Sequence, residues 1–284
     1  MLTNRAIWVI ERNFGRVLTL GELAVACKVS PFHLAHAFGE ATGQSVMQYV
    51  RGRRLTAAAL ALAGGATDIL ELAIQSGYGS HEAFSRAFRA QFGTTPQAVR
   101  KAGSAAGLAL VTALDMLEEG RADVASARLE RAGPMSFVGL WGHYAFSAIR
   151  DIPEQWARFM RAYQHIPHKA DCAPVGISIG FDGDGEFDYL CAVQVVDGGW
   201  APPELARLDV AAQSYAVFQH RGHVATIRST YTAIWNHWLP ESGRTARDAP
   251  IIERHNPAFD PGTGLGGLEI WIPVADRRSI LRNR

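Results

Sequence analysis

Apolar residues in the first hundred positions recur every third or fourth residue, the period of a helix with one buried face. Ile7, Trp8, Ile10 and Phe14 predict a helix over 4–14. Leu20, Leu23, Ala24 and Cys27 predict a second, with Thr19 as its cap and Glu22 placed to close a capping box. Lys28-Val29 turn, and Ser30-Pro31 open a third helix that carries Leu34, Ala37 and Phe38 and ends at Gly43. Residues 45–63 read as one long helix. A fifth helix follows Asp68, with Glu71 placed for another capping box, and runs through Leu70, Leu72, Ala73 and Ile74 to a break at Gly77. Ser80 caps a sixth, whose apolar side is Phe84, Ala87, Phe88 and Phe92. Gly93 can end it in a left-handed conformation, and Pro96 behind Thr95 restarts a short last helix.

Two of these stretches are copies. Glu22-Leu23-Ala24-Val25 matches Glu71-Leu72-Ala73-Ile74, and Ser30, Leu34, Phe38 and Gly43 match Ser80, Phe84, Phe88 and Gly93. The offset is 49 residues before the turn and 50 after it, so the second turn holds one residue more. A short helix, a tight turn and a second helix make a helix-turn-helix, whose second helix can enter a DNA major groove. The same shape also serves as a plain hairpin in a core. Repetition on either side of a long helix favours the first reading, because such a helix can hold two recognition helices about one DNA turn, ~34 Å, apart.

Beyond residue 101 the pattern changes. KAGSAAG reads as a small-residue linker, after which Leu110, Leu114 and Leu117 recur at helical spacing up to Gly120. Alternation predicts strands over 124–131, 135–143, 174–181, 187–196, 214–220 and 267–274. Helical spacing predicts 153–163, with Trp156, Phe159 and Met160 inward, and 226–239, with Ile227, Tyr231, Ile234 and Trp238 inward. Strand, helix, strand, strand thus occurs twice. Two such halves pair into one curved antiparallel sheet with helices on one face and a concave face opposite. The fold expected is an all-α N-terminal domain followed by an α+β C-terminal domain. The boundaries expected are 1–102 for the DNA-binding part, 103–121 for the linker, 122–276 for the sheet domain and 277–284 for a tail.

Charge sharpens this division. The chain of 284 residues has a net charge of only +1, yet residues 1–101 hold eleven basic against six acidic side chains, a net +5, which leaves −4 for the rest. A basic front half suits a polyanion. Cys27, Cys172 and Cys191 form no C-x-x-C pair and read as free thiols in a reducing compartment. No apolar run approaches ~20 residues and the N-terminus is not patterned as a signal peptide, so a cytoplasmic protein without a membrane partner is expected. His220 and His223, with His143, His237 and His255 elsewhere, lack the three or four converging ligands that zinc needs. No metal and no cofactor is expected.

The run Ala73-x-x-x-Gly77-Tyr78-x-Ser80-x-x-x-Phe84-Ser85-Arg86-x-Phe88-Arg89, then Gly93-x-x-Pro96-x-x-x-Arg100, resembles the AraC/XylS family of transcription regulators. Residues 215–223, 251–257 and 266–274 (YAVFQHRGH, IIERHNP, GGLEIWIPV) resemble the GyrI-like effector domain. The order, DNA-binding half first, is that of Rob-type regulators. The resemblance implies double-stranded promoter DNA as partner, RNA polymerase as a further one, and a small-molecule pocket with a carboxylate on the final strand, here Glu269; it leaves the direction of regulation, activator or repressor, open.

On the second recognition helix the outward residues are His81, Glu82, Ser85, Arg86 and Arg89. Arg86 can bond guanine O6 and N7 together, Glu82 can accept from cytosine N4, and Arg89 suits a phosphate. On the first, the outward set includes Phe32, His33 and His36, as base contacts or as solvated surface. The resemblance implies an arginine at the position of His36 and a basic residue at that of Gly39, so this head has lost charge. Arg51, Arg53 and Arg54 on the long helix are phosphate contacts or an ordinary charged face. In the second half, Glu269 and Trp271 share one face of the last strand, a carboxylate beside an aromatic wall that suits an amphipathic or cationic ligand. Phe218, His220, Tyr189, Trp141 and Tyr144 are further candidates for that pocket. A small hydrolase and a sequestering protein are the alternatives; no nucleophile–base spacing argues for catalysis.

Overall fold

A computed structural model describes residues 1–66, 68–115, 127–182, 184–196 and 201–275. The N-terminal half runs α1 (Leu2–Asn13), α2 (Leu20–Cys27), α3 (Pro31–Thr42), α4 (Val46–Ala63), α5 (Ile69–Gln75), α6 (His81–Phe92) and α7 (Pro96–Ala102). The caps at Thr19, Ser30 and Ser80 are the expected ones, and Ser45 is a further one. Thr19 and Glu22 form a reciprocal box, and the side chains of Ser30, Ser45, Ser80 and Thr95 each accept a backbone N–H at the start of their helix. Asp68 caps α5 too, but Glu71 does not return a bond to it and instead accepts from Gln75 at 3.1 Å. The two turns differ as the repeat offset requires: Lys28 takes the left-handed conformation at φ 58° in the first, Gly77 at φ 81° in the second.

The spacing of Leu110 and Leu114 does not make a helix. Residues 104–115 run along α4 without regular structure. There the Val111 N–H donates to Thr56 Oγ1 at 2.9 Å and the Leu114 N–H to Tyr49 Oη at 3.0 Å. Backbone bonds to α4 thus replace the helix's own. Leu117 lies outside the described residues.

The C-terminal half comprises β1 (Arg128–Ala132), β2 (Met135–Ala145), α8 (Ile152–Tyr163), β3 (Val175–Ile179), β4 (Glu186–Val195), β5 (Ala206–Val210), β6 (Gln213–His220), α9 (Ile227–Ala233), β7 (Thr245–Ala246), β8 (Ile251–His255) and β9 (Leu268–Ala275). The strands form one antiparallel sheet in the order β1-β6-β9-β8-β3-β4-β2-β5, with β7 on β9. The short strands β5, β7 and β8 are additions to the predicted set. The helix 226–239 is not uniform: α9 passes into a π turn over Ile234–Trp238.

Side chains alternate between the two faces. Phe187, Tyr189, Cys191 and Val193 pack with Phe159 of α8, while Phe218, Ile270 and Ile272 pack with Ile234 and Trp235. The opposite face does not stay open. Phe137, Ile177, Leu190, Tyr215, Ile252 and Trp271 bury one another there, so the concavity expected to receive a ligand is filled by the protein's own side chains.

The two halves share a core. Ile7 and Ile10 of α1 and Leu34 and Phe38 of the first helix-turn-helix belong to the same buried cluster as Phe218, Ile234, Trp235 and Ile270. The second helix-turn-helix has a separate cluster around Phe84, Phe88 and Leu62.

Candidate functional site

The second reading head is open. Phe84 and Phe88 anchor α6 on its buried side, which turns His81, Glu82, Arg86 and Arg89 to solvent, with Ser85 half-buried between them. The Ser80 hydroxyl accepts from the Ala83 N–H at 3.2 Å and fixes the end that would meet base edges. These side chains stand together as the sequence led us to expect.

The first reading head is covered. His33 and His36 are 5% and 1% exposed, and Phe32 is half-buried. The His36 ring stacks on Trp235 at 4.2 Å and meets Phe181 at 3.8 Å. His33 Nε2 lies 2.7 Å from the Trp235 carbonyl. Neither histidine nor Phe32 lies on the open outer face expected of it, because the C-terminal half packs over that face. Burial pushes the His36 imidazole well below the usual histidine range, and nearby His33 adds to this.

The long-helix arginines are also engaged. Arg53 grips the Glu11 carboxylate with Nε and Nη2 (3.0 and 2.8 Å) and donates through Nη1 to the Val111 carbonyl. Arg54 donates to the Phe14 and Arg16 carbonyls at 2.8 and 2.6 Å. Through these bonds Arg53 ties α4 to α1 and the segment after α7, and Arg54 ties it to the loop after α1. Arg51 is exposed and pairs with Asp184 across the seam at 2.9 Å.

Glu269 and Trp271 share a face, as expected, but the carboxylate is occupied. It accepts from Arg128 (3.0 and 3.3 Å), Gln219 Nε2 (2.6 Å) and Trp271 Nε1 (2.9 Å). Trp141 packs on that same filled face. Phe218 and His220 are not on it: their register puts them on the helix side, where Phe218 meets Trp238 and His220 Nδ1 bonds Thr230 Oγ1 at 2.8 Å. The predicted grouping mixed the two faces of the sheet. Tyr189 and Tyr144 lie on the helix side as well, and there Tyr189 meets a different carboxylate.

That carboxylate is Glu253 on β8. Its Oε2 accepts from the Tyr189 hydroxyl at 2.9 Å and its Oε1 from the Tyr231 hydroxyl at 2.8 Å. One tyrosine comes from the α8 half and the other from α9, so Glu253 sits where the two repeats meet. Trp156 Nε1 donates to the Tyr189 hydroxyl at 3.4 Å. Gly176, paired with Glu253 across β3 and β8, leaves the space that the Tyr189 ring and the carboxylate fill; a Cβ there would collide with both. Burial first, and then the charge of Glu253, push both hydroxyls well above the usual tyrosine range, so they remain donors. Among the described residues no basic side chain pairs with Glu253. The result is a half-buried carboxylate held by neutral donors among aromatic rings, an arrangement that favours an organic cation. Sequence reasoning missed Glu253 because β8 is short and polar. Its place in the IIERHNP motif was the available signal.

Residues 23–102 match the helix-turn-helix domain family, and residues 127–275 match the GyrI-like small molecule binding domain. The transcriptional regulator Rob of Salmonella typhimurium is 25% identical over 267 residues, which cover 91% of each chain. The transcriptional regulator BrlR of Pseudomonas aeruginosa is 31% identical over 156 residues, 52% of this chain and 55% of its own. The regulatory protein SoxS of Escherichia coli is 34% identical over 91 residues, 32% of this chain and 85% of its own. With an open recognition helix in the first half and a GyrI-like sheet in the second, the chain belongs to the AraC-type DNA-binding transcription regulators that carry a GyrI-like small molecule binding domain, in the Rob-type arrangement.

Proposed function

We propose that this regulator answers to an amphipathic organic cation held at Glu253, and that α6 is its standing contact with promoter DNA. The observation that carries the reading is the Glu253 carboxylate itself: both oxygens accept from tyrosine hydroxyls at 2.8–2.9 Å, and among the described residues no basic side chain pairs with it. Glu269, by contrast, already has the Arg128 guanidinium as counter-ion. A ligand cation near Glu253 gains charge attraction in a site of reduced dielectric and lies against Trp156, Tyr189 and Tyr231. We propose RNA polymerase as the regulator's second macromolecular partner.

The test is binding of rhodamine 6G, a lipophilic aromatic monocation, to the full chain. Glu253→Gln should weaken it by about tenfold or more, the loss of one desolvated charge contact, while Glu269→Gln leaves it within about twofold. Fluorescein, an anion on the same ring system, should bind neither protein. Equal affinity for rhodamine 6G in the wild type and the Glu253→Gln variant would refute the assignment.

A further inference from the structure

The surface beside Glu253 already has an occupant. Helix α3 lies along it and presents Phe32, His36, Gly39 and Glu40, a set at helical spacing. The His36 ring sits between Phe181 and Trp235 of the other half, with ring centroids 3.8 and 4.2 Å away, and against Phe32 of its own helix at 4.5 Å. Gly39 lies against Phe146, and any Cβ at that position would enter the Phe146 ring. Arg228 clamps the helix end, donating to the Gly39 and Glu40 carbonyls at 2.8 and 2.7 Å. Glu40 falls within reach of the charges of both Glu253 and Arg228. An aromatic cage with a ring in it and a carboxylate close by is the environment that an aromatic cation would seek.

The fit is incomplete in a telling way. Both ring nitrogens of His36 and the indole nitrogen of Trp235 are buried without a hydrogen-bond partner. Each has lost water and gained no bond in return, which native interiors rarely tolerate. Two carboxylates, Glu40 and Glu253, are brought toward each other. The π turn at Ile234–Trp238 lies under the contact and carries the Trp235 carbonyl that meets His33, and such turns cluster at functional positions. The seam holds α3 and also carries costs that opening would relieve.

We propose that α3 is the resident occupant of the surface beside Glu253, so that an amphipathic cation reaching from Glu253 toward Phe181 and Trp235 competes with the first recognition helix for that surface. This rests on Glu253 as the effector carboxylate. With α3 docked, Phe32, His33 and His36 cannot reach DNA. Effector binding shifts the population toward the released helix, and the first half-site gains a contact. The effector's apparent affinity is reduced by the fraction of molecules that are docked.

Rhodamine 6G and the full chain test this through hydrogen exchange and footprinting. Saturating dye should speed amide exchange in α3 and extend DNA protection from the α6 half-site to a second half-site one helical turn away. Arg228→Ala, which removes the clamp but neither Glu253 nor its tyrosines, should bind the dye about tenfold tighter and protect the second half-site without dye. Gly39→Leu, which cannot seat against Phe146, should tighten dye binding equally and covers the case in which the Arg228 variant fails to fold. Dye binding that depends on Glu253 but leaves α3 exchange unchanged, with no tightening in either variant, overturns the competition and leaves the effector site standing. Absence of dye binding in all of these proteins overturns both.

Discussion

Glu40 joins the two halves at the scale of a single residue. Burial raises its carboxyl to about 8, Arg228 on α9 pulls the other way, and Glu253 on β8 adds to the rise. Tyr231 and Tyr189 also face this region, as hydroxyls that stay protonated. Docked Glu40 therefore keeps its proton up to about pH 8, whereas a released, solvated Glu40 gives it up near the ordinary glutamate value. The docked state binds the extra proton between these limits, so docking weakens as pH rises through that window. His36 acts in the opposite sense: held well below its usual value when docked, it takes up a proton on release at low pH, so docking weakens as pH falls below the ordinary histidine range. Protection of α3 amides, corrected for intrinsic exchange, should therefore peak in mildly acidic solution. Glu40→Gln should flatten the alkaline side alone; an unchanged alkaline slope would remove Glu40 from the account.

Among the elements, α3 and α6 are copies with different fates. Both begin at a serine cap and both turn phenylalanines inward. On α6 the outer face carries Arg86 and Arg89, which no apolar seam could cover without stranding charge. On α3 the equivalent face carries His36 and Gly39, one able to be neutral and the other without a side chain. The loss of charge that looked like a weakened reading head is thus also what lets the helix dock. Arg86→Ala should cost ~1–3 kcal/mol of specific binding and relax one base position in a site selection; a selected site of unchanged sharpness would dismiss Arg86 as a base contact. Arg53 behaves otherwise. Its bond pair to Glu11 is largely buried, with side-chain exposures of 16% and 23%. Arg53→Ala should lower stability by about 2 kcal/mol and leave the salt dependence of DNA binding intact. A reduced salt slope in a variant of normal stability would restore Arg53 to the phosphate contacts.

In the whole molecule, one continuous cluster ties the first helix-turn-helix to the sheet half, while the second keeps its own core. Thr3 and Asn236 add a buried polar tie: the Thr3 N–H and hydroxyl donate to Asn236 Oδ1 at 2.9 and 2.7 Å, and Asn236 Nδ2 donates to the Ala37 carbonyl at 2.9 Å. Asn236→Ala should therefore loosen the seam, leaving the Thr3 N–H without its acceptor while the Thr3 hydroxyl keeps its 2.8 Å bond to the Ala37 carbonyl, and should raise exchange in α1 and α3 together while α6 is unaffected. Uniform protection across all three helices would mean that the halves are not coupled through this tie. The segment 104–115 is bonded to α4 through the Val111 and Leu114 N–H groups, and Val111 and Leu114 pack against the shared cluster.

Local chemistry was legible because it depends on neighbours in the chain. The caps at Thr19, Ser30, Ser80 and Thr95, the repeat that makes two helix-turn-helix units, the outward set on α6 and the doubled strand–helix–strand–strand order all follow from spacing. What depends on contacts between distant residues was not legible. A period of two shows that Glu269 and Trp271 share a face, but not that Arg128, 141 positions away, neutralises that carboxylate. Likewise, β8 is too short for its pattern to announce that Glu253 points between tyrosines from two repeats. The helical period of α3 shows which side is outward from its own hairpin. Only the packing of the other half over that side decided that it is buried, because an outer face is defined by what else folds against it.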